Sequence, residues 1–283
     1  MTKTVMVIND LSSFGNCSLT AAIAVLSAMG HRPCPLPTAV LSAQSEFPAY
    51  YAEELTDAMP RFADAWAANR EQFDGIFTGY FAGERQLDYA LDCLSRFRGD
   101  GTPVLVDPVM GDSGTLYPAY DRAACEKMKR LAACADVLTP NLTELCILSG
   151  ADYGALTARC RDEDYLPRIA ALAQPLAEGR SVVVTGVSVG EDICNLAIEG
   201  GKTEIIRSKR LEGRFSGTGD LFSAVAGGCM LHGCQLADSV RIAARFVSQA
   251  VADTLKEPHI PRYGVNYEKF LYTLHEVNQH ANR

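Results

Sequence analysis

Short apolar runs recur along the chain, each closing on polar residues, with longer stretches of helical spacing between them. Val5-Met6-Val7-Ile8 runs into Asn9-Asp10 and predicts a buried strand. Residues 18–29, rich in Ala and Leu and ending before Gly30, predict a helix. The alternation continues with a strand at 39–41, a helix at 51–69, a strand at 75–78, a loop at 79–83 and a helix at 85–97. Next come a strand at 103–107, a helix at 121–133, a strand at 136–139 and a helix at 142–149. Residues 153–164 are the least periodic and predict a loop. A strongly β-branched strand follows at 181–185, and segments 193–198 and 203–208, joined through Gly200-Gly201, predict a hairpin. Helical spacing returns at 217–231, 236–255 and 267–279.

Continuous apolar strands alternating with helices predict a mostly parallel central sheet covered on both faces, a three-layer α/β/α fold. With no internal repeat and no low-complexity linker, residues 1–283 are expected to form a single domain. Ligands of such sheets bind beyond the carboxyl ends of the strands. The notable polar residues fall there: Asn9 and Asp10, Tyr80, Asp107, Thr139 with Asn141 and Glu144, Thr185 and Asp220. Each has a plainer reading. Asp107 is also a strand-end turn residue before Pro108, and Glu144, three residues after Asn141, is also a helix-capping carboxylate.

Composition narrows the function. A net charge of -8 disfavours nucleic acid and anionic membranes as partners. No apolar run reaches membrane-spanning length and no secretory leader is visible, so a cytoplasmic protein is expected. The ten cysteines include no Cys-x-x-Cys and sit mostly among apolar neighbours, as reduced structural thiols do. The five histidines show no metal-ligand spacing with them, which argues against zinc.

Gly217-Thr218-Gly219-Asp220 carries the most specific chemistry. It opens directly into the apolar helix start Leu221-Phe222-Ser223-Ala224. Two glycines let backbone amides approach a ligand, and a helix start offers unpaired N–H groups with a partial positive charge, an anion site. A carboxylate in the same turn would repel a phosphate. It makes sense as a base taking a proton from a hydroxyl that attacks the phosphate. These four residues alone are equally consistent with an Asp-capped helix after a glycine turn.

The chain resembles the ribokinase superfamily, and within it the vitamin B6 (pyridoxal, pyridoxine and pyridoxamine) kinases. The resemblance covers nearly the whole chain. It rests on Val7-Ile8-Asn9-Asp10 with Gly15, residues 36–41, Thr78-Gly79-Tyr80, Asp107-Pro108-Val109-Met110-Gly111, Thr139-Pro140-Asn141-Leu142-Thr143-Glu144 and Gly217-Thr218-Gly219-Asp220, in that order. It implies a ribokinase-like fold, a homodimer, and phosphorylation of the 5′-hydroxymethyl of a vitamer by ATP with Mg²⁺. Asp220 is similar to the catalytic base, and Gly217, Thr218 and Gly219 to the hole for the transferring phosphoryl group. Asp107 and Glu144 resemble the residues that order Mg²⁺ and phosphate. Thr139 and Thr185 fall at ATP-phosphate positions, Tyr80 at the position that packs on the pyridine ring, and Asp10 and Ser45 at other vitamer contacts. Three departures stand out: Asp10 where Ser is usual, Thr185 where Lys is common, and Ala43-Gln44-Ser45-Glu46 where a His-Thr pair is usual; Asp220, where hydroxymethylpyrimidine kinases often carry Cys, resembles the B6 kinases. A hydroxymethylpyrimidine or other small-alcohol kinase, and a catalytically silent B6 binder, are the alternative expectations.

Overall fold

A computed structural model describes residues 2–213, 215–259 and 262–280. In chain order the elements are β1 (Thr4–Phe14), α1 (Ser18–Ala28), β2 (Arg32–Ala43), β3 (Ala52–Glu54), α2 (Met59–Ala68), β4 (Gly75–Thr78), α3 (Glu84–Phe97) and β5 (Val104–Val106). A small β6 (Gly111–Asp112) and β7 (Thr115–Leu116) ribbon follows, then α4 (Arg122–Ala133), β8 (Val137–Leu138), α5 (Leu142–Ser149), α6 (Tyr153–Thr157) and α7 (Tyr165–Ala173). The chain closes with β9 (Ser181–Val189), β10 (Asp192–Glu199), β11 (Lys202–Lys209), α8 (Thr218–Leu231), α9 (Leu236–Thr254) and α10 (Leu271–His280).

The main sheet has the order β11-β10-β9-β8-β5-β4-β1-β2-β3. The pairings from β2 through β9 are parallel, and antiparallel strands close both ends, β3 on β2 and β10 and β11 beyond β9. Alternating side chains divide the core into two layers. Met6, Ile8, Ile76, Val104, Val106, Leu138, Val182 and Val184 pack under α2 to α7. Val5, Val7, Phe77, Leu105, Val137 and Val183 pack under α1, α8, α9 and α10. Each fully buried aliphatic side chain there contributes about 1.5–3 kcal/mol. The two layers place every parallel strand's carboxyl end on one edge, which is where the polar residues lie.

Several segments differ from the sequence expectation; β1, for one, runs past Asp10 to Phe14, and the β6–β7 ribbon and α7 are additional. The helix expected over 51–69 begins only at Met59, with Pro60 in its first turn, where a missing N–H costs nothing. Residues 52–54 instead pair with β2 as an edge strand. The strand expected at 39–41 starts at Arg32 and contains Pro33, Pro35 and Pro37. Arg32 donates to the Lys3 carbonyl, so by alternation the prolines point to the side where β3 has not yet begun, and no ladder bond is lost. The loop expected over 153–164 contains the short α6, capped by Asp152, whose carboxylate accepts from Ala155 N–H at 2.6 Å.

Candidate active site

A cleft of about 990 Å³ runs along the carboxyl edge of the sheet. Of the residues singled out from the sequence, Asp10, Ser45, Tyr80, Asp107, Thr139, Asn141, Glu144, Thr185 and the Gly217–Asp220 turn line it; Asn9 lies behind them. Ser45 stands exposed on the loop after β2, while Asp10, Asp107, Thr139 and Glu144 are buried in the floor. None of the described lining residues is Lys, Arg or His, so the charge of the cleft is set by carboxylates and backbone dipoles.

The α8 N-terminus is open. Gly217 caps it with φ 79° and offers no side-chain cap hydrogen bond. A Cβ on Gly217 would also overlap the Asn16 carbonyl, so the position needs glycine both for conformation and for space. At Gly219 the added Cβ would meet nothing within 4 Å, because that face looks into the cleft. The geometry therefore provides unpaired N–H groups, a helix dipole and open space, the three requirements of an anion site.

Asp220 follows in the same turn. Enclosure by protein and the nearby Asp10 push its carboxyl from the ordinary 3.8 up to about 6, against the Ser18 N–H and the Asn9 amide, which favour the charged form. Burial dominates. One side of Asp220 stays open to the cleft. A carboxylate ionising near 6 is largely charged at neutral pH yet basic enough to accept a proton, as a general base must be. Asp10 is likewise raised by burial, with Ser12 Oγ donating to it at 3.2 Å.

One turn further along α8, Ser223 Oγ donates to Asp107 Oδ2 at 2.7 Å and lies 3.1 Å from Thr139 Oγ1. Thr139 thus meets the site through a buried hydroxyl chain that supports Asp107. Ser223 was not singled out from sequence. Its signal was the i, i+3 spacing from Asp220, which sets both on one face of α8. Glu144 Oε2 accepts from Asn141 N–H at 2.9 Å, Oε1 accepts from Met110 N–H at 3.2 Å, and Asn141 Oδ1 accepts from Glu144 N–H at 3.0 Å. The capping reading of Glu144 is therefore realised, and it does not exclude a role toward the cleft. Burial first, then the nearby Asp220, holds Asp107 above the usual carboxylate range; burial first, then Asp107, does the same to Glu144. Thr185 N–H donates to Pro140 at 2.9 Å, which ties the end of β9 to the start of α5.

Among the described residues, no group of three or more His, Cys, Asp or Glu side chains could hold a metal ion on its own. The donor set nevertheless suits Mg²⁺, which takes one or two carboxylates and completes its shell with water and phosphate oxygens. Asp107 and Glu144 form such a pair, and neither has a Lys or Arg partner among the described ion pairs.

A model of the phosphomethylpyrimidine kinase family matches residues 13–261. The chain is 28% identical over 257 residues to a pyridoxine/pyridoxal/pyridoxamine kinase of Bordetella avium, covering 85% of this chain and 82% of that protein. It is 29% identical over 251 residues to a hydroxymethylpyrimidine/phosphomethylpyrimidine kinase of Streptomyces coelicolor, covering 87% and 88%. Among solved structures, it is similar to a Bacteroides thetaiotaomicron protein provisionally assigned as a phosphomethylpyrimidine kinase and crystallised with pyridoxal, with TM-score 0.89, 33% identity, and 97% and 96% of the two chains covered. The pyridoxal kinase of Lactobacillus plantarum follows at TM-score 0.88 and 29% identity, with 99% of each chain covered.

Proposed function

The chain belongs to the phosphomethylpyrimidine kinase family and has its ribokinase-like fold, and on that premise we propose that it transfers the ATP γ-phosphoryl group to the 5′-hydroxymethyl of a B6 vitamer. The observation that carries this reading is Asp220, a carboxyl raised to about 6 and set in the first turn of an uncapped helix. Base and anion site are adjacent, as attack of a hydroxyl on a phosphoryl group requires. Pyridoxal in the 33%-identical Bacteroides structure supports the vitamer as substrate.

In the proposed reaction Tyr80 packs on the pyridine ring, and Asp10 and Ser45 contact its substituents. The vitamer hydroxyl oxygen attacks the γ-phosphorus while its proton passes to Asp220. The bond from the γ-phosphorus to the bridging oxygen breaks, and ADP leaves with that electron pair. Backbone N–H groups of Gly217, Thr218 and Gly219 receive the transferring oxygens. The nucleotide lies toward Asp107, Thr139, Glu144 and Thr185. Asp107 and Glu144 would hold Mg²⁺ through water, and Mg²⁺ when bound neutralises phosphate charge in a cleft that has no described basic side chain. We also propose a cytoplasmic homodimer, the state the family resemblance implies; no described helix is long and apolar enough to cross a membrane.

The test is a panel of pyridoxal, pyridoxine, pyridoxamine and hydroxymethylpyrimidine with ATP and Mg²⁺. Phosphorylation of at least one vitamer is expected. Turnover of hydroxymethylpyrimidine alone would transfer the assignment to the second reading, which the Streptomyces relative favours. Vitamer binding without turnover would leave a silent binder.

A further inference from the structure

Asn9 is buried in β1, where the register against β2 shifts, and the reaction described above gives it no part. Its side chain has three partners. Oδ1 accepts from Tyr80 N–H at 2.8 Å and from Asp10 N–H at 3.0 Å, and Nδ2 donates to Asp220 Oδ1 at 3.2 Å. Only the amide oxygen can accept from two backbone donors, so the NH₂ end is the one that faces Asp220. The fit is close. A Cβ on Gly79 would overlap the Asn9 amide, and Gly79 N–H donates to the Ile8 carbonyl at 2.9 Å, holding the β4 end against β1.

We propose that Asn9 is a positioning residue for the phosphoryl transfer, fixing the Asp220 carboxylate relative to Tyr80 and hence to the ring of the bound alcohol. This rests on the kinase reading of the site. Asp220 and Tyr80 come from distant parts of the chain, and Asn9 is bonded to both. Its amide restrains the last torsion of Asp220 through Oδ1, while the peptide that carries the Tyr80 ring hangs on the same side chain. Base and ring platform therefore move as one body. Proton removal depends on such alignment, and a displacement of about 1 Å can cost on the order of 10²-fold in rate. The other groups facing Asp220 are Asp10 on β1, Asp107 after β5 and the Cys17 thiol before α1. All three are neutral or negative, so the Ser18 N–H, the Asn9 amide and the Asp220 N–H are the donors that favour an ionised base, and the Asn9 amide is the side chain among them.

Asn9→Asp separates positioning from scaffolding. The carboxylate keeps an oxygen for the Tyr80 and Asp10 N–H groups, while the donor that faced Asp220 is replaced by an oxygen that repels it. The cycle is run on whichever alcohol the wild type phosphorylates, so failure of the vitamer assignment is seen separately in the wild-type panel. The expected result is a kcat lowered roughly 10- to 100-fold, with the ATP KM within about twofold of wild type. The acid limb of kcat/KM should move to higher pH. In the Asp220→Asn background, the same substitution should change residual single-turnover rates by less than about twofold, because the group it acts through is gone. Equal fold losses in both backgrounds would overturn the proposal, as would an unchanged kcat with an unmoved acid limb. If Asn9→Asp does not fold, the cycle is run on Asn9→Ser. Failure of both variants to fold would assign Asn9 to the scaffold alone.

Discussion

Two helix N-termini open on the same cleft and are built in opposite ways. At α5 a reciprocal capping box closes the end: Asn141 accepts from Glu144 N–H, and Glu144 reaches back to Asn141 N–H and on to Met110. At α8 the cap is a left-handed glycine with no side chain to offer, and a Cβ added at Gly219 in the first turn would meet only open space. Helix dipole and orphan donors are common to both ends. Only the second withholds an internal acceptor, so only the second is free to take a phosphate. A helix start becomes an anion site by what the chain omits there.

The largest effect that would test this contrast is loss of the base beside the open end. Asp220→Asn should lower kcat by roughly 10²–10⁴-fold while ATP binding and fold persist. Turnover within about threefold of wild type would remove Asp220 from the base position. The sign of its pH effects follows from a carboxyl raised from 3.8 to about 6. Wild-type kcat/KM should fall as pH drops below about 6, because the base becomes protonated. For stability, the folded state holds this proton more tightly than the unfolded chain between those two values, so Asp220 costs stability as pH rises through that window and above it. Asp220→Asn should therefore melt higher than wild type at pH 7 and show a shallower pH dependence, read from melting curves at pH 4 to 7.

Gly217→Ala attacks the open end itself. The left-handed conformation costs about 1–2 kcal/mol for a residue with a Cβ, and the overlap with Asn16 adds to it. The expected outcome is a lower melting temperature together with a raised ATP KM, measured by steady-state kinetics. An unchanged ATP KM would break the claim that this turn receives phosphate.

Changes at the closed end should be smaller and of another kind. Glu144→Gln should weaken turnover at limiting Mg²⁺ more than it weakens vitamer binding, measured by Mg²⁺ titration beside ligand binding. Normal activity at limiting Mg²⁺ would leave Glu144 as a cap only. Asn141→Ala should cost about 1 kcal/mol of stability, the usual worth of such a cap, with ATP KM within about twofold of wild type.

Much of this arrangement was legible along the chain. Apolar runs such as Val5–Ile8 and Val182–Val184, each closing on polar residues, identify buried strands because a strand covered on both faces has no polar face to show. The Gly-Thr-Gly-Asp turn identifies its own geometry, since few residues besides glycine tolerate φ 79°. Less was visible where two local signals conflicted. The sequence predicts a strand only at 39–41, yet β2 begins at Arg32, and its prolines are tolerated because the neighbouring side of the sheet is empty there. Residues 52–54 carried no strand signal of their own and are held only by Ala39 to Leu41 across the edge.

The residue types needed for phosphoryl transfer, and their placement at strand ends and helix starts, follow from local pattern, because hydrophobic period and turn chemistry act over a few positions. Which side chain answers which is decided elsewhere. Asn9 meets Asp220 across 211 positions, and Ser223 meets Asp107 across 116. Thr139 faces a serine hydroxyl in the floor, and Glu144 closes its own helix while lining the cleft. No local preference encodes such pairs. They exist because the packed sheet brings strand ends within hydrogen-bond reach of α8, and because burial makes an unpaired polar group costly enough to select one partner.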